Sequence, residues 1–259
     1  MLYEESTTLE TLPGPAVDVD VDAYGGWVAI CNQANGFVVA TQAGAFAAPK
    51  GLYFPLVRWT GSGDVLVVDS STTKGRTNAF VFTPSGQEKA RFCVGDGVAD
   101  VVSVRDRIVV TYFDEGVFGK VPPSEEGLCV FTADGQLEFG YQTGVRDPVD
   151  IADCYCVCRS GRHEVCFVAY TGFPVVRLNL ETRIQNVHQL PEHLSGASAV
   201  AVSRGSFLLW APYAARRSIF LWSPENAAVE VGTHSGPLRG HSFGSFLSPG
   251  AHGYTIVTA

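Results

Sequence analysis

Residues 97–141 read GVADVVSVRDRIVVTYFDEGVFGKVPPSEEGLCVFTADGQLEFGY. Four short apolar runs stand in this stretch, each bounded by turn residues. The run 98–104 meets a two-residue turn at Arg105 and Asp106, and 108–113 follows. A long acidic loop, 114–127, leads to 128–132, then a turn at 133–135, then 137–141. Period-2 apolar patterning over runs this short reads as β-strand. The stretch therefore predicts a four-stranded antiparallel meander.

The same unit recurs along the chain, and internal repeats of this length decide a fold more firmly than any single element. Its first hairpin aligns with AVDVDVDAYGGWVAIC from Ala16, FPLVRWTGSGDVLVVD from Phe54 and IADCYCVCRSGRHEVCFVAY from Ile151. ASAVAVSRGSFLLWA from Ala197 and HSFGSFLSPGAHGYTIVTA from His241 complete six copies. The turns fall near Gly25, Ser62, Arg105, Gly161, Arg204 and Gly250, at spacings of roughly 37 to 56 residues, as blades with variable loops require. Five copies continue into a second hairpin whose last strand is the more polar, as a sheet edge should be. The sixth copy stops after two strands, while LYEESTTLETL stands unpaired before the first. The economical solution closes a ring, with the N-terminal strand completing the last blade.

This pattern resembles the β-propellers, and six blades fit best. The resemblance spans nearly all 259 residues and implies an all-β, six-bladed propeller of four-stranded antiparallel blades, as a single domain over 1–259. No WD40, kelch or YWTD signature accompanies it. The architecture hosts many functions, so function must be argued from a site.

Composition narrows the choices. The chain carries 18 Lys and Arg against 26 Asp and Glu, a net charge of -8, which disfavours binding to nucleic-acid phosphates. No apolar run approaches the roughly 20 residues that span a membrane. The N-terminal residues show no secretory signal pattern. Seven Cys, an odd number at strand-like positions, suit reduced thiols in a cytoplasmic protein. Few Lys beside abundant Ala, Gly, Val and Arg suggest a GC-rich bacterial genome. A monomer is expected.

The propeller resemblance also sorts the loops by face. Loops between strands one and two are short in this chain. Loops between strands two and three, and the blade-to-blade connections, are longer and chemically richer. Binding residues concentrate in such loops on a rigid scaffold. The face carrying loops 70–78, 114–127 and 212–217 is therefore the expected binding face. Its candidate residues are Asp114, Glu115 and Phe118 in the acidic loop, and Tyr213, Arg216 and Arg217 in the fifth repeat. Adjacent arginines suit a carboxylate or phosphate, because the planar guanidinium donates bidentately. His241 is a further candidate, from the sixth repeat.

Three chemical readings compete with simple binding. GHSFG at 240–244 matches the nucleophile-elbow pattern, but no strong strand precedes Ser242 and no acid follows it. CYCVC at 154–158, with Cys166, invites a metal. Cα atoms two apart on a strand lie roughly 6.8 Å apart, however, so these thiols reach one ion only through a bulge. Small apolar packing between blades is the simpler role.

Last, some six-bladed propellers hold calcium in the channel and hydrolyse lactones or phosphoesters; Asp18, Asp20, Asp100, Asp150 and Asp153 sit near the starts of channel strands, with Asp20, Asp100 and Asp150 as the candidate ligands. Calcium wants six or more oxygens. The second repeat offers Arg58 and the fifth only Ser198, so that ring is incomplete. The sequence therefore favours a non-catalytic binding propeller without a cofactor, its protein or small-molecule ligand unknown, with a calcium-dependent hydrolase as the alternative.

Overall fold

The computed structural model describes residues 2–211 and 217–259, with Phe243 through its backbone alone. In chain order, Tyr3–Thr8 (β1) precedes the first full sheet. That sheet holds Ala16–Val21 (β2), Trp27–Gln33 (β3), Gly36–Thr41 (β4) and Gly44–Ala47 (β5). The second holds Pro55–Trp59 (β6), Val65–Asp69 (β7), Ala79–Phe82 (β8) and Glu88–Phe92 (β9). The third holds Val98–Val104 (β10), Arg107–Tyr112 (β11), Leu128–Thr132 (β12) and Leu137–Gly140 (β13). The fourth holds Asp153–Arg159 (β14), Glu164–Tyr170 (β15), Pro174–Asn179 (β16) and Gln185–Gln189 (β17). The fifth holds Ala199–Ser203 (β18), Ser206–Ala211 (β19), Ser218–Trp222 (β20) and Val229–Thr233 (β21). The sixth joins Arg239–Gly240 (β22), Phe246–Gly250 (β23) and Gly253–Thr258 (β24) to β1, in the order β22-β23-β24-β1.

Each sheet is antiparallel, and in the first five spatial order follows chain order. The burial gradient explains why. β7 is buried at every residue, and β11 at all but its first, whereas β5, β9 and β17 are largely exposed. A strand covered on both faces by neighbouring blades reads as a continuous apolar run, and the outer strand faces water. The six hydrophobic clusters are each shared by two adjacent blades. Val102, Leu128 and Tyr141 of the third pack with Val157, Phe167 and Val176 of the fourth. Leu9, Val19 and Ala29 pack with Leu247 of the sixth. The core is thus a ring of inter-blade seams, and this is a six-bladed β-propeller.

The sixth blade is built differently from the sequence expectation. The hairpin of residues 246–258 forms its second and third strands rather than its first and second. The innermost strand is β22, only two residues long, too short to show any periodicity. Glycine is required there: a Cβ on Gly240 would lie 2.2 Å from the Val200 carbonyl oxygen and 2.3 Å from the Cys158 Cβ. The expected closure by the N-terminal strand holds, through six residue pairs from Tyr3↔Thr258 to Thr8↔Gly253.

Three inner strands carry a bulge where they enter the channel, at Ala16/Asp18, Val98/Asp100 and Cys154/Cys156. An extra residue re-aims the side chains beside it. In the first and third blades the residue beside the bulge is an aspartate, Asp18 or Asp100, and its carboxylate accepts the N–H of the following residue. Among the described residues no helix is long and apolar enough to cross a membrane.

Candidate functional site

The channel is closed in its middle by an ionic plug. Arg58, buried on β6, donates through Nη1 to the buried Asp18 at 2.5 Å and through Nη2 to Asp100. Its Nε donates to the Val101 carbonyl at 2.7 Å. Arg239, on β22, donates to Asp18 at 2.6 Å and to Asp20 at 2.9 Å. Three carboxylates thus surround two guanidinium groups. Burial pushes the Asp18 carboxyl up, but Arg58 and Arg239 more than offset it, and its pKa lies below the usual carboxylate range. Burial likewise opposes the charge on Arg58, and Asp18, Asp100 and Asp20 more than restore it.

Of the three carboxylates considered as calcium ligands, Asp20 and Asp100 belong to this plug. Asp150 is exposed in the connection before β14. Among the described residues no three His, Cys, Asp or Glu side chains converge on a metal position. The cysteines of the fourth blade pack within seams: Cys154 lies between blades three and four, and Cys156, Cys158 and Cys166 between four and five. Burial raises the thiol pKa values of Cys154, Cys156 and Cys166, which disfavours the thiolate a metal needs. Ser242 begins a short 3-10 turn, Ser242–Gly244, not a strand-to-helix elbow.

Above the plug, on the long-loop face, lies a cavity of about 1160 Å³. Its lower wall is formed by the starts of inner strands, at Val17, Pro55, Val98, Asp153 and Ser198. The cavity is also lined by aromatic rings, Tyr53, Phe54 and Phe113 from connections and loops, Phe37 from the start of β4 and Tyr155 from β14. Tyr53 is 74% and Phe54 67% exposed, two adjacent large rings at the surface.

The backbone that carries both rings is held from beneath. The buried Asp69, at the end of β7, accepts the N–H of Tyr53 and the N–H of Phe54, each at 2.9 Å. Asn78 ties the same corner by donating to the carbonyls of Asp69 and Gly95 and accepting the Val94 N–H. Across the mouth, Tyr155 meets Tyr170 at 6.1 Å and Phe173 at 5.3 Å between ring centroids, an aromatic trio within the fourth blade.

The acidic loop 114–127 borders this cavity and is well tied down. It starts as one helical turn, Asp114–Val117 (α1), and ends in the 3-10 turn Ser124–Glu126. The buried Ser124 accepts the Asp96 N–H at 2.7 Å, and Asp96 in turn accepts the Thr72 N–H at 2.7 Å. Glu126 accepts the N–H and the hydroxyl of Thr143. Glu115 lines the cavity; Asp114 and Phe118 are exposed and outside its lining.

Burial first, then Asp114 and Glu115, push the Asp153 carboxyl up to about 6. With the folded value above the ordinary 3.8, ionisation opposes folding: the penalty is absent below 3.8, still small near pH 4 and complete above about pH 6. Asp153→Asn is therefore expected to raise Tm at pH 8 and to change it little at pH 4. Partial exposure screens the gain to about 1 kcal/mol or less. Thermal unfolding at the two pH values checks this, and an unchanged Tm at pH 8 refutes it.

The remaining sequence candidates stand elsewhere. Tyr213 and Arg216 lie outside the described residues. Arg217 is exposed and donates to the Ser235 carbonyl at 2.7 Å, at the end of the fifth blade. His241 faces the opposite mouth, where Nε2 lies 2.8 Å from the Val21 carbonyl oxygen and Nδ1 3.2 Å from the Ser245 hydroxyl. That mouth is small, about 150 Å³. The structure thus brings Glu115 to the cavity with Asp153, one of the carboxylates the sequence places near the start of a channel strand, and with Tyr53, Phe54 and Tyr155, which the sequence does not single out as site residues. The exposed Tyr53-Phe54 pair in a connection was the one local signal for them.

The fold and this site define a propeller with a preformed, one-sided cavity. No protein-family model matches the chain, and no curated protein sequence matches it. Among solved structures, a streptogramin B lyase superposes with a TM-score of 0.64 at 11% identity, covering 99% of this chain and 97% of that one. U3-55K gives 0.63 at 8% identity, covering 98% of each chain. BamB from Moraxella catarrhalis gives 0.55 at 11%, covering 100% of this chain and 98% of that one. At these identities the likeness is one of fold, shared by proteins of different function.

Proposed function

We propose that this propeller is a binding module without bond-making machinery, whose ligand is a small molecule seated in the aromatic mouth of the long-loop face. The observation that carries this reading is the cavity itself. It is open at one end, lies above the Arg58 plug, and the backbone of its Tyr53-Phe54 rim is anchored by Asp69. A preformed rim reduces the ordering cost of binding. Its volume suits a drug-sized ligand.

Two of its lining hydroxyls are engaged in structural hydrogen bonds. Ser70 Oγ donates to the Val98 carbonyl at 2.5 Å and Ser198 Oγ to the Gly196 carbonyl at 3.2 Å. No histidine is among the described lining residues, and both hydroxyls donate to backbone carbonyls, not to the adjacent general base that activates a nucleophile. The calcium-dependent alternative is disfavoured because Asp20 and Asp100 already neutralise arginines. Buried, reduced cysteines fit a cytoplasmic setting.

The test exposes the protein to a small-metabolite extract, removes unbound material and identifies what is retained by mass spectrometry. Wild type is expected to return a compound unchanged, and Tyr53→Ala with Phe54→Ala to lose at least tenfold of it. Turnover of the retained compound, or retention that ignores both rings, would overturn the reading.

A further inference from the structure

We infer that the ligand of this cavity is an organic cation, a protonated or quaternary amine carried on an apolar body; the inference rests on the binding function proposed above. The charged side chains that line the cavity are Asp96, Glu115 and Asp153, and no Lys, Arg or His stands among the described lining residues. Asp96 is committed to the Thr72 N–H. Glu115 and Asp153 remain, and the charges acting on Asp153 are those of Asp114 and Glu115, both of its own sign. In the channel the carboxylates Asp18, Asp20 and Asp100 are neutralised by arginine. At the cavity mouth no such partner stands among the described lining residues, and an incoming cation would supply one.

The aromatic wall selects the kind of cation. Among the described residues the acids do not converge into a metal position, so their field is spread over a wide mouth rather than focused on a point. A bare metal ion would gain nothing from Tyr53, Phe54 and Tyr155. An organic ammonium gains twice, through cation–π attraction to ring faces and through burial of its apolar body. The net charge of -8 adds long-range attraction for the same sign of ligand. A small molecule fits better than a protein segment because the plug closes the floor, which leaves a pocket of bounded depth and not a through-channel.

Three probes with one body and three charges test the inference: phenethylammonium, 2-phenylethanol and 3-phenylpropionate. Dissociation constants by calorimetry or NMR titration are expected to rank cation tightest and anion weakest. Asp153→Asn combined with Glu115→Gln should weaken the cation at least tenfold and leave the neutral alcohol within twofold. Phe54→Ala should weaken all probes that bind. If the three bind alike, or the anion binds best, with Phe54→Ala still weakening them, the cation assignment falls and the binding reading survives. If none binds measurably, the inference and the aromatic binding site both fall.

Discussion

Replacing Arg58 by alanine is expected to lower stability by about 3–5 kcal/mol, the cost of leaving buried carboxylates without their counter-ion. In a chain of this size that is roughly 10 °C in Tm. The geometry makes this the most sensitive single side chain in the channel, since Arg58 joins Asp18 of the first blade to Asp100 of the third from its place on the second. The loss has a pH signature. The Asp18 carboxyl titrates below its ordinary value in the native protein, so its contribution is present above about pH 4 and is lost as pH falls through the lower native value. Without Arg58 the carboxyl moves upward and takes a proton more readily. The gap between wild type and variant is therefore widest at neutral pH and narrows at pH 4. Arg58→Met combined with Asp18→Asn and Asp100→Asn should recover much of the loss, because a neutral buried cluster carries no unpaired charge. Calorimetry of these variants at pH 7.5 and 4 decides it. A gap of equal size at both pH values would mean that packing, not charge, holds the plug.

Deleting residues 2–8 is expected to have an effect of comparable size by another route. β1 contributes little buried surface, since most of its residues are exposed. It contributes the outer ladder of the sixth blade, six residue pairs with β24. About six ladder hydrogen bonds at a net value of roughly 1 kcal/mol each are lost, and β24 becomes an unpaired edge. Leu2, packed against the seam between the fifth and sixth blades, leaves with them. The truncated chain should melt well below wild type and associate through its new edge. Light scattering and thermal unfolding report the two effects. A synthetic peptide of residues 2–9 should raise Tm in a concentration-dependent way. A truncated protein that stays monomeric with an unchanged Tm would show that the ring is held by its seams without this strand.

Much of this architecture is written locally. The meander of residues 97–141 declares four strands and two tight turns, and β10 to β13 lie within it. The hairpin turns near Gly25, Ser62 and Arg204 are where glycine, serine and arginine suggest them. The sixth blade shows where local reading stops. The hairpin of residues 246–258 has the same alternation as any other, but alternation marks a hairpin without saying which strands of the blade it supplies. A two-residue inner strand such as β22 has no period to detect.

The candidate site was less legible. Asp114 and Glu115 could be singled out because an acidic loop is a composition signal. Asp153 could be placed near the start of a channel strand, but its raised pKa could not be read, because it comes from burial and from two carboxylates nearly forty residues earlier. Asp69 reads as the polar end of a strand; that it sets Tyr53 and Phe54 depends on the path of the connection before β6. Arg58 reads as an interruption in a ring of channel carboxylates, and it proves to be their partner.

By itself, then, the sequence determined the all-β class, the six-fold repeat, the closing role of the N-terminal strand and the face that bears the long loops. These follow from period-2 patterning and turn chemistry, which act between residues close in the chain. Only the tertiary structure decided the plug, the cavity and its acidic, aromatic lining. Arg239 meets Asp18 across 221 positions of sequence. The cavity wall gathers residues from all but the last blade. Ring closure creates those neighbours, and no local pattern encodes which side chains meet at the centre of a ring.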